Sequence, residues 1–203
     1  MSIPKTHYFE AQPAVASRPR ALRLRLGELE LELAADRGVF GFRGIDVGTM
    51  ILLREAPPPP PSGELLDLGC GYGPIAVVLA RRAPAAHVWA VDVNERAVEL
   101  TRSNASAAGA SNVTASRPEE VPADLQFDAI YSNPPVRVGK GPLHALLLEW
   151  LPRLKPGGNA YLVVQRNLGS DSLAAWLATQ GFAVRRLKSK KGYRILEVKA
   201  AAP

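Results

Sequence analysis

The run Glu64-Leu65-Leu66-Asp67-Leu68-Gly69-Cys70-Gly71-Tyr72-Gly73-Pro74-Ile75-Ala76-Val77-Val78-Leu79-Ala80-Arg81-Arg82 reads as strand, tight turn and helix. A short apolar run with a glycine cluster behind it is a strand signal. Pro74 suits the first helical position, where its fixed φ is pre-set and its missing N–H costs nothing, and buried-helix spacing follows it. A glycine turn that opens a helix lets a ligand approach the backbone closely and points free N–H groups at it. The spacing then discriminates between ligands. A dinucleotide site needs a third glycine where Pro74 stands, and Gly73 falls one residue early. A phosphate-binding P-loop needs Gly-Lys-Ser or Gly-Lys-Thr, which is missing after the turn.

What remains is Asp67-x-Gly69-x-Gly71-x-Gly73, which resembles the first motif of the Rossmann-like S-adenosylmethionine (SAM) methyltransferases. SAM has no pyrophosphate; it carries an amino-acid end and a sulfonium, so an acid beside a glycine turn is useful to it. A second acid, Asp92, ends the apolar run Val88–Val91 about twenty residues past the turn, where a carboxylate can take both ribose hydroxyls. Alone, the glycine turn is an ordinary loop; Asp67, Pro74 and Asp92 in register make it a cofactor site. The expected cofactor contacts are Thr49, Asp67, Gly69, Cys70, Gly71, Gly73, Asp92, Val93, Ser116 and Asn133. Cys70 is expected to be a small buried side chain rather than a nucleophile.

A second motif lies at the end of Phe127-Asp128-Ala129-Ile130-Tyr131, which delivers Ser132-Asn133-Pro134-Pro135-Val136 to the carboxyl edge of a parallel sheet. Ligands bind at that edge. The prolines stiffen the backbone, so the Asn133 side-chain oxygen and the Pro134 carbonyl can face one point. Two fixed acceptors suit an amine: each takes one N–H and the nitrogen lone pair is aimed at the methyl carbon. Orientation then supplies most of the catalysis, without a strong general base. A proline-stiffened turn is the structural alternative, and a SAM site on the same rim argues against it.

The combination resembles the amino-methylating class I methyltransferases, and within them the ribosomal RNA small-subunit guanine-N2 methyltransferase family and its small single-domain relatives. The likeness runs through His7-Tyr8-Phe9, Val39-Phe40, Ile45-Asp46-Val47-Gly48-Thr49, Asp67–Gly73, Asp92 and Asn133-Pro134-Pro135-Val136, with Arg137, Gly139 and Lys140 behind. It implies an α/β, Rossmann-like fold with a seven-stranded, mostly parallel sheet, helices on both faces and a reversed last hairpin. It also implies SAM as cofactor, RNA as partner, and Asn133, Pro134, Pro135 and Val136 holding the target amine. Phe9, Phe40, Arg137 and Lys140 are the expected substrate contacts. Two features depart from the pattern. The full ribosomal enzymes carry an additional N-terminal methyltransferase-like domain that these residues lack. Val136 stands where an aromatic is common, so stacking on the target base either comes from elsewhere, with Phe9, Tyr8 and Phe40 as candidates, or is weaker. Methylation of a protein glutamine amide or of adenine N6 uses the same chemistry, and a non-catalytic SAM- or RNA-binding module is the alternative from another class.

The rest of the chain fits one catalytic unit over residues 1–203, with a short N-terminal extension (1–56), a connector (57–61) and a SAM-binding core (62–203). Residues 1–20 are expected to be irregular surface chain. Leu22–Leu26 and Leu29–Leu33 alternate strictly and predict a β-hairpin whose arginines and glutamates pair across the strands. A glycine-rich loop leads into a short helix ending near Glu55, and five prolines, Pro57–Pro61, predict a stiff polyproline connector. Asn94 caps a helix stopped by Gly109, and Val113–Ala115 is a strand. Leu143–Leu154 predicts a helix, Lys155–Gly158 a turn, Ala160–Val164 a strand, Ser172–Thr179 a helix, and Phe182–Leu187 with Tyr193–Val198 a closing hairpin. Gln165, Arg166 and Asn167 end a strand on the active rim and are candidates to line the pocket. The tip Lys188–Gly192, with Arg185, Arg186 and Arg194, is the most basic region and a candidate for RNA phosphate contacts.

With 203 residues, 47% hydrophobic, and a net charge of +6, the composition describes a soluble globular chain with room for a full core and a preference for polyanions. There is no membrane-spanning run and no signal pattern, so the cytoplasm is the expected location. The single cysteine cannot form an internal disulfide, and His7, His87 and His144 lack ligand spacing, so no metal is expected.

Overall fold

The computed structural model describes residues 15–27 and 29–200. A two-stranded antiparallel sheet, β1 (Arg20–Leu26) and β2 (Leu29–Ala35), precedes α1 (Val47–Glu55). The main sheet is then built from β3 (Ser62–Leu68), β4 (Ala85–Val91), β5 (Val113–Ser116), β6 (Phe127–Ser132), β7 (Leu154–Gln165), β8 (Ala183–Lys190) and β9 (Tyr193–Lys199). Its order is β5-β4-β3-β6-β7-β9-β8. The first five strands in that order are parallel, and β9 runs antiparallel to both β7 and β8. The helices that join them are α2 (Pro74–Arg82), α3 (Glu95–Ala107), α4 (Lys140–Trp150) and α5 (Ser170–Thr179). The expected seven-stranded sheet with its reversed last hairpin is therefore present.

The sheet is buried on both faces, which explains why β3, β4 and β6 read as apolar runs rather than alternating ones. One face packs against α1, α2 and α3, with Ile51, Leu52, Ile75, Val78, Ala97 and Val98 in that core. Leu24, Leu26, Leu31 and Leu33 of the hairpin extend the same core. The other face holds Leu143, Leu147 and Trp150 of α4 with Leu173 and Leu177 of α5. On the outer side of the hairpin, Arg25 meets Glu30 at 2.9 Å and Arg23 meets Glu32 at 3.9 Å. Both pairs are solvated, so each contributes at most about 1 kcal/mol. Their apolar faces seat the hairpin.

Polar ties fix the N-terminal segment to the core. The buried Asn104 side chain of α3 accepts from the Ala34 N–H (2.7 Å) and donates to the Ala34 and Tyr72 carbonyls (2.8 and 2.7 Å). Asn94, which caps α3 by accepting from the Arg96 and Ala97 N–H groups, donates to the Gly38 carbonyl at 2.8 Å. The loop that carries Val39 and Phe40 is thereby held beside the glycine turn. The proline segment lies outside the helices and strands, and the Tyr131 hydroxyl donates to the Pro57 carbonyl at 3.1 Å.

Three differences from the sequence reading matter here: β8 runs on to Lys190, so the closing hairpin turns at Lys191-Gly192 rather than over Lys188–Gly192, and the other two concern α4 and β7. Helix α4 starts at Lys140 rather than Leu143 and ends at Trp150, followed by a single 3-10 turn, Leu151–Arg153. Pro152 lies inside that turn, and a proline ends a regular helix by removing a donor. The segment Lys155–Gly158 belongs to β7, which is twelve residues long; the pairing with β6 shifts register there, so the expected turn is an irregularity inside a strand.

Candidate active site

The glycine turn lies between β3 and α2, with Gly69, Gly71 and Gly73 at φ of 75°, 58° and 85°. These are left-handed conformations that strain any residue with a Cβ. Four of its N–H groups, which the sequence reading left free for a ligand, are taken up within the protein. Those of Gly69 and Cys70 donate to the Val91 carbonyl (2.8 and 3.0 Å), that of Gly71 to Asp92 Oδ2 (2.9 Å), and that of Gly73 to the Cys70 carbonyl (2.9 Å). The neighbouring strand and its terminal acid take three of these donors and the turn itself takes the fourth. The turn offers a ligand close approach and acceptors, which suits a cation better than a phosphate.

Asp67 is fully buried at the end of β3. Its Oδ2 accepts from the Ala76 N–H of α2 at 2.9 Å, while Oδ1 is buried with no partner. Burial pushes the carboxyl up to about 8; the Ala76 hydrogen bond opposes the shift and the charge of Asp92 adds to it. Asp92, half-buried at the end of β4, is also raised by burial, and its two oxygens accept from the Gly71 and Asn94 N–H groups. Beside it, Val91, Val93, Pro118, Pro135, Leu146 and Trp150 form an apolar slot that reaches Gly69. Ser116 ends β5 next to Asp92, and its buried hydroxyl also lacks a partner. Cys70 is buried, and burial pushes its thiol well up, which disfavours the thiolate.

This donor set fits SAM. A buried, unpartnered carboxylate oxygen suits a cationic group, and a carboxylate beside a flat apolar slot suits a ribose diol carrying an adenine. Thr49, Asp46 and Asn133 line the other end of the cleft, together with Phe40, Cys70 and Gly71. Asp67, Gly73 and Ser116 stand behind this surface rather than on it.

Asn133 also lines a larger cavity of about 460 Å³ with Phe40, Asp46, Pro134, Pro135, Val136, Arg137, Val163, Gln165, Leu168 and Tyr193. Asn133, Asp46 and Phe40 are common to both spaces, so they stand at the junction of the cofactor cleft and the larger cavity. The Asn133 side-chain nitrogen donates to Asp46 Oδ1 at 2.7 Å and to Thr49 Oγ1 at 3.0 Å. Its oxygen is thereby turned away from α1. The Pro134 carbonyl accepts from the Val136 N–H at 2.8 Å and retains its second lone pair. Phe40, 43% exposed, and Tyr193 give the cavity two aromatic walls. Among the expected substrate contacts, Arg137 lines this cavity, whereas Lys140 lines a separate, smaller one between α4 and α5 with His144 and Trp176. Phe9 lies outside the described residues. Gln165 lines the cavity as expected; Arg166 and Asn167 are exposed in the turn beyond it.

The basic hairpin tip is partly neutralised. Lys188 and Lys190 both pair with Glu55 of α1, Arg185 pairs with Glu197 at 2.8 Å, and Arg194 pairs with Asp171. Lys190 holds the Glu55 carboxyl below its usual range. These cations tie the closing hairpin to its neighbours, which weakens the reading of the tip as a phosphate site. Sequence reasoning gave no role to Asp46 and Tyr193. Asp46 carried a visible signal, as the acid that starts a helix three residues before Thr49. Tyr193 carried none, because only the β7–β9 pairing brings it to the Asn-Pro-Pro turn.

A seven-stranded sheet of this order, a glycine turn flanked by two acids, and an Asn-Pro-Pro turn on the same rim define a class I SAM-dependent methyltransferase. A family model, Methyltransferase small domain, matches residues 30–197, and the chain belongs to that family. The chain is 34% identical to Bacillus subtilis YbxB over 95% of its own length and 98% of that protein's. It is also 34% identical to the ribosomal RNA small subunit methyltransferase C of Pseudomonas aeruginosa strain UCBPP-PA14, over 75% of this chain and 47% of the relative. The chain thus spans about half the length of the curated ribosomal RNA methyltransferases it matches. Among solved structures, the Thermus thermophilus 16S rRNA N2 G1207 methyltransferase in complex with AdoMet and guanosine superposes with a TM-score of 0.77. It is 28% identical, over 93% of this chain and 52% of that one.

Proposed function

We propose that the protein methylates the exocyclic N2 amine of guanine in RNA, ribosomal RNA foremost, as a single catalytic unit working in the cytoplasm. The observation that carries this reading is the position of Asn133, at the junction between the cofactor cleft and a cavity walled by Phe40 and Tyr193. The similarity to a methyltransferase whose structure holds AdoMet and guanosine supports the choice of base. Residues 36–44, tied to α3 through Asn94, act as a cover on the cofactor side.

When bound, SAM supplies an electrophilic methyl group on a sulfonium. The chain's residues do the rest by placement. Asp92 and the glycine turn hold the cofactor, with Val93 beside the adenosine end, while the carboxyl of Asp67, behind the turn, acts on the cationic end through its charge. A guanine lifted out of its stack enters between Phe40 and Tyr193, the aromatic walls that Val136 does not provide. Its amine donates one N–H to Asn133 Oδ1 and the other to the Pro134 carbonyl. Both acceptors are fixed in advance, so the lone pair faces the cofactor cleft without reorganisation. Apolar Val136, Pro135 and Val163 keep water from competing for the amine. Arg137 at the rim takes a phosphate of the strand.

Replacing guanosine by inosine tests the reading, since inosine keeps the ring and the O6 edge but lacks the N2 amine. A guanosine-containing RNA accepts the methyl group and its inosine counterpart does not. Equal methylation of the two overturns guanine N2 as the target. Methylation of a protein glutamine amide, the second reading, is excluded if label enters protein-free RNA.

A further inference from the structure

Two residues of the segment Asp46-Val47-Gly48-Thr49, Asp46 and Thr49, hydrogen-bond the Asn133 side chain of the Asn-Pro-Pro turn. A carboxamide is nearly symmetric in shape, and either end of the Asn133 side chain can face the target cavity. Only one flip works: with the oxygen forward, it accepts an N–H; with the NH₂ forward, it opposes the amine donor to donor. Packing alone discriminates poorly between the flips. An acceptor-only carboxylate behind the amide does discriminate, since it binds NH₂ and repels oxygen, and a hydroxyl beside it can accept the second hydrogen.

That pair is present. Asp46 Oδ1 lies 2.7 Å and Thr49 Oγ1 3.0 Å from the Asn133 nitrogen, and the two take its two hydrogens. Asp46 is itself fixed as the N-cap of α1, where the same Oδ1 accepts from the Thr49 N–H at 3.1 Å. Both acceptors therefore belong to one rigid first turn of helix. Gly48 completes the arrangement: a Cβ there would come within 2.9 Å of Asp46 Oδ1 and 2.9 Å of Tyr193 Cε1. The missing side chain lets the Tyr193 ring, a wall of the target cavity, pack against the cap.

We infer that Asp46 and Thr49 are positioning residues for methyl transfer, locking the Asn133 carboxamide in the flip that presents its oxygen to the substrate amine. The inference rests on the assignment of Asn133 as the amine acceptor. Asp46 acts as a hydrogen-bond acceptor and not through its charge or as a base, and the helix cap is its second, separable duty.

Three variants of the full chain separate these duties. Asp46→Ser keeps a good N-cap but is too short to reach Asn133. Asp46→Asn keeps both the cap and an acceptor oxygen while removing the charge. Thr49→Val removes the second acceptor without changing shape. The first readout needs no substrate: the Asn133 side-chain NH₂ signals in a ¹⁵N–¹H spectrum, identified by their loss in Asn133→Asp. In the wild type these protons exchange slowly and lie away from free-amide shifts; Asp46→Ser moves them to free-amide behaviour and Asp46→Asn does not. The second readout is kinetic, on guanosine-containing RNA with labelled SAM. Asp46→Ser lowers kcat about 100-fold, the scale of a misplaced reacting group, with KM for SAM and the melting temperature little changed. Thr49→Val lowers kcat about 10-fold, and Asp46→Asn restores most of what Asp46→Ser loses. An unaltered Asn133 amide signal in Asp46→Ser overturns the inference, whether or not RNA is the substrate. So does an Asp46→Asn protein as slow as Asp46→Ser, which would assign the role to charge. Slow amide exchange together with no methylated RNA leaves the lock standing and removes the RNA reading.

Discussion

Substituting single glycines of the turn should separate the part that builds the fold from the part that receives the cofactor. At Gly73 a Cβ would lie 2.8 Å from Thr101 Cγ2 and 2.9 Å from its Oγ1. Thr101 cannot yield: it is fully buried, and its hydroxyl donates to the Gly71 carbonyl at 3.0 Å. Gly73→Ala therefore carries two costs, a left-handed φ of 85° at about 1–2 kcal/mol and an overpacked contact at about 1–3 kcal/mol. The sum, about 2–5 kcal/mol, lowers the melting temperature by roughly 5–20 °C for a chain of this size. At Gly69 the φ of 75° imposes the first cost, but a Cβ meets nothing within 4 Å. Gly69→Ala should lose only about 1–2 kcal/mol in stability, and the open space should register in SAM binding, weakened about tenfold or more by a methyl group in the cleft. Calorimetric unfolding and isothermal titration with SAM measure the two effects separately. Thr101→Ala, combined with Gly73→Ala, should recover part of the loss, because the two sites are in contact. Equal destabilisation by the two glycine variants would refute the packing argument. Unchanged SAM affinity in Gly69→Ala would refute the placement of the cofactor against the turn.

Asp67 links stability and cofactor binding to pH. Its folded-state value, about 8, lies above the ordinary 3.8, so its contribution is fully present below about pH 4 and is lost as pH rises through 8. Urea unfolding of the ligand-free protein should show this decline between those limits, flattened in Asp67→Asn, and SAM binding near neutral pH should release protons in buffers of differing ionisation enthalpy. Asn133→Ala should cut methyl transfer by about 100-fold or more while SAM affinity stays nearly unchanged; a parallel loss of affinity would make Asn133 a support of the cofactor pocket. Tyr193→Ala should raise KM for RNA about tenfold, within the range of base–aromatic stacking, with Tyr193→Phe close to wild type in steady-state assays.

Much of this site was legible because its parts are local. The glycine turn, Pro74 at N1, and Asn94 as a cap are each decided within a few residues by backbone conformation or by a short side chain. Asp92 and Asn133 follow because parallel strands bring their carboxyl ends to one rim. What the sequence concealed depends on pairing between distant segments. Tyr193 reaches the target cavity only through the antiparallel β7–β9 ladder, sixty residues past Asn133 in the chain, as the register Gln165↔Tyr193 shows. Lys188 and Lys190 looked like a phosphate site until α1 placed Glu55 beside them. The Gly69, Cys70 and Gly71 donors looked free because nothing local reveals that Val91 and Asp92 consume them. Asp46 was legible as a cap and illegible as a partner of Asn133, eighty-seven residues away.

The central claim is tested most directly by incubating the protein with methyl-labelled SAM and an extract from a strain that lacks it, followed by separate ribonuclease and protease digestion. The account predicts that the label is lost to ribonuclease and that nucleoside analysis returns N2-methylguanosine. Label that survives ribonuclease and is lost to protease would contradict it and make a protein amide the substrate.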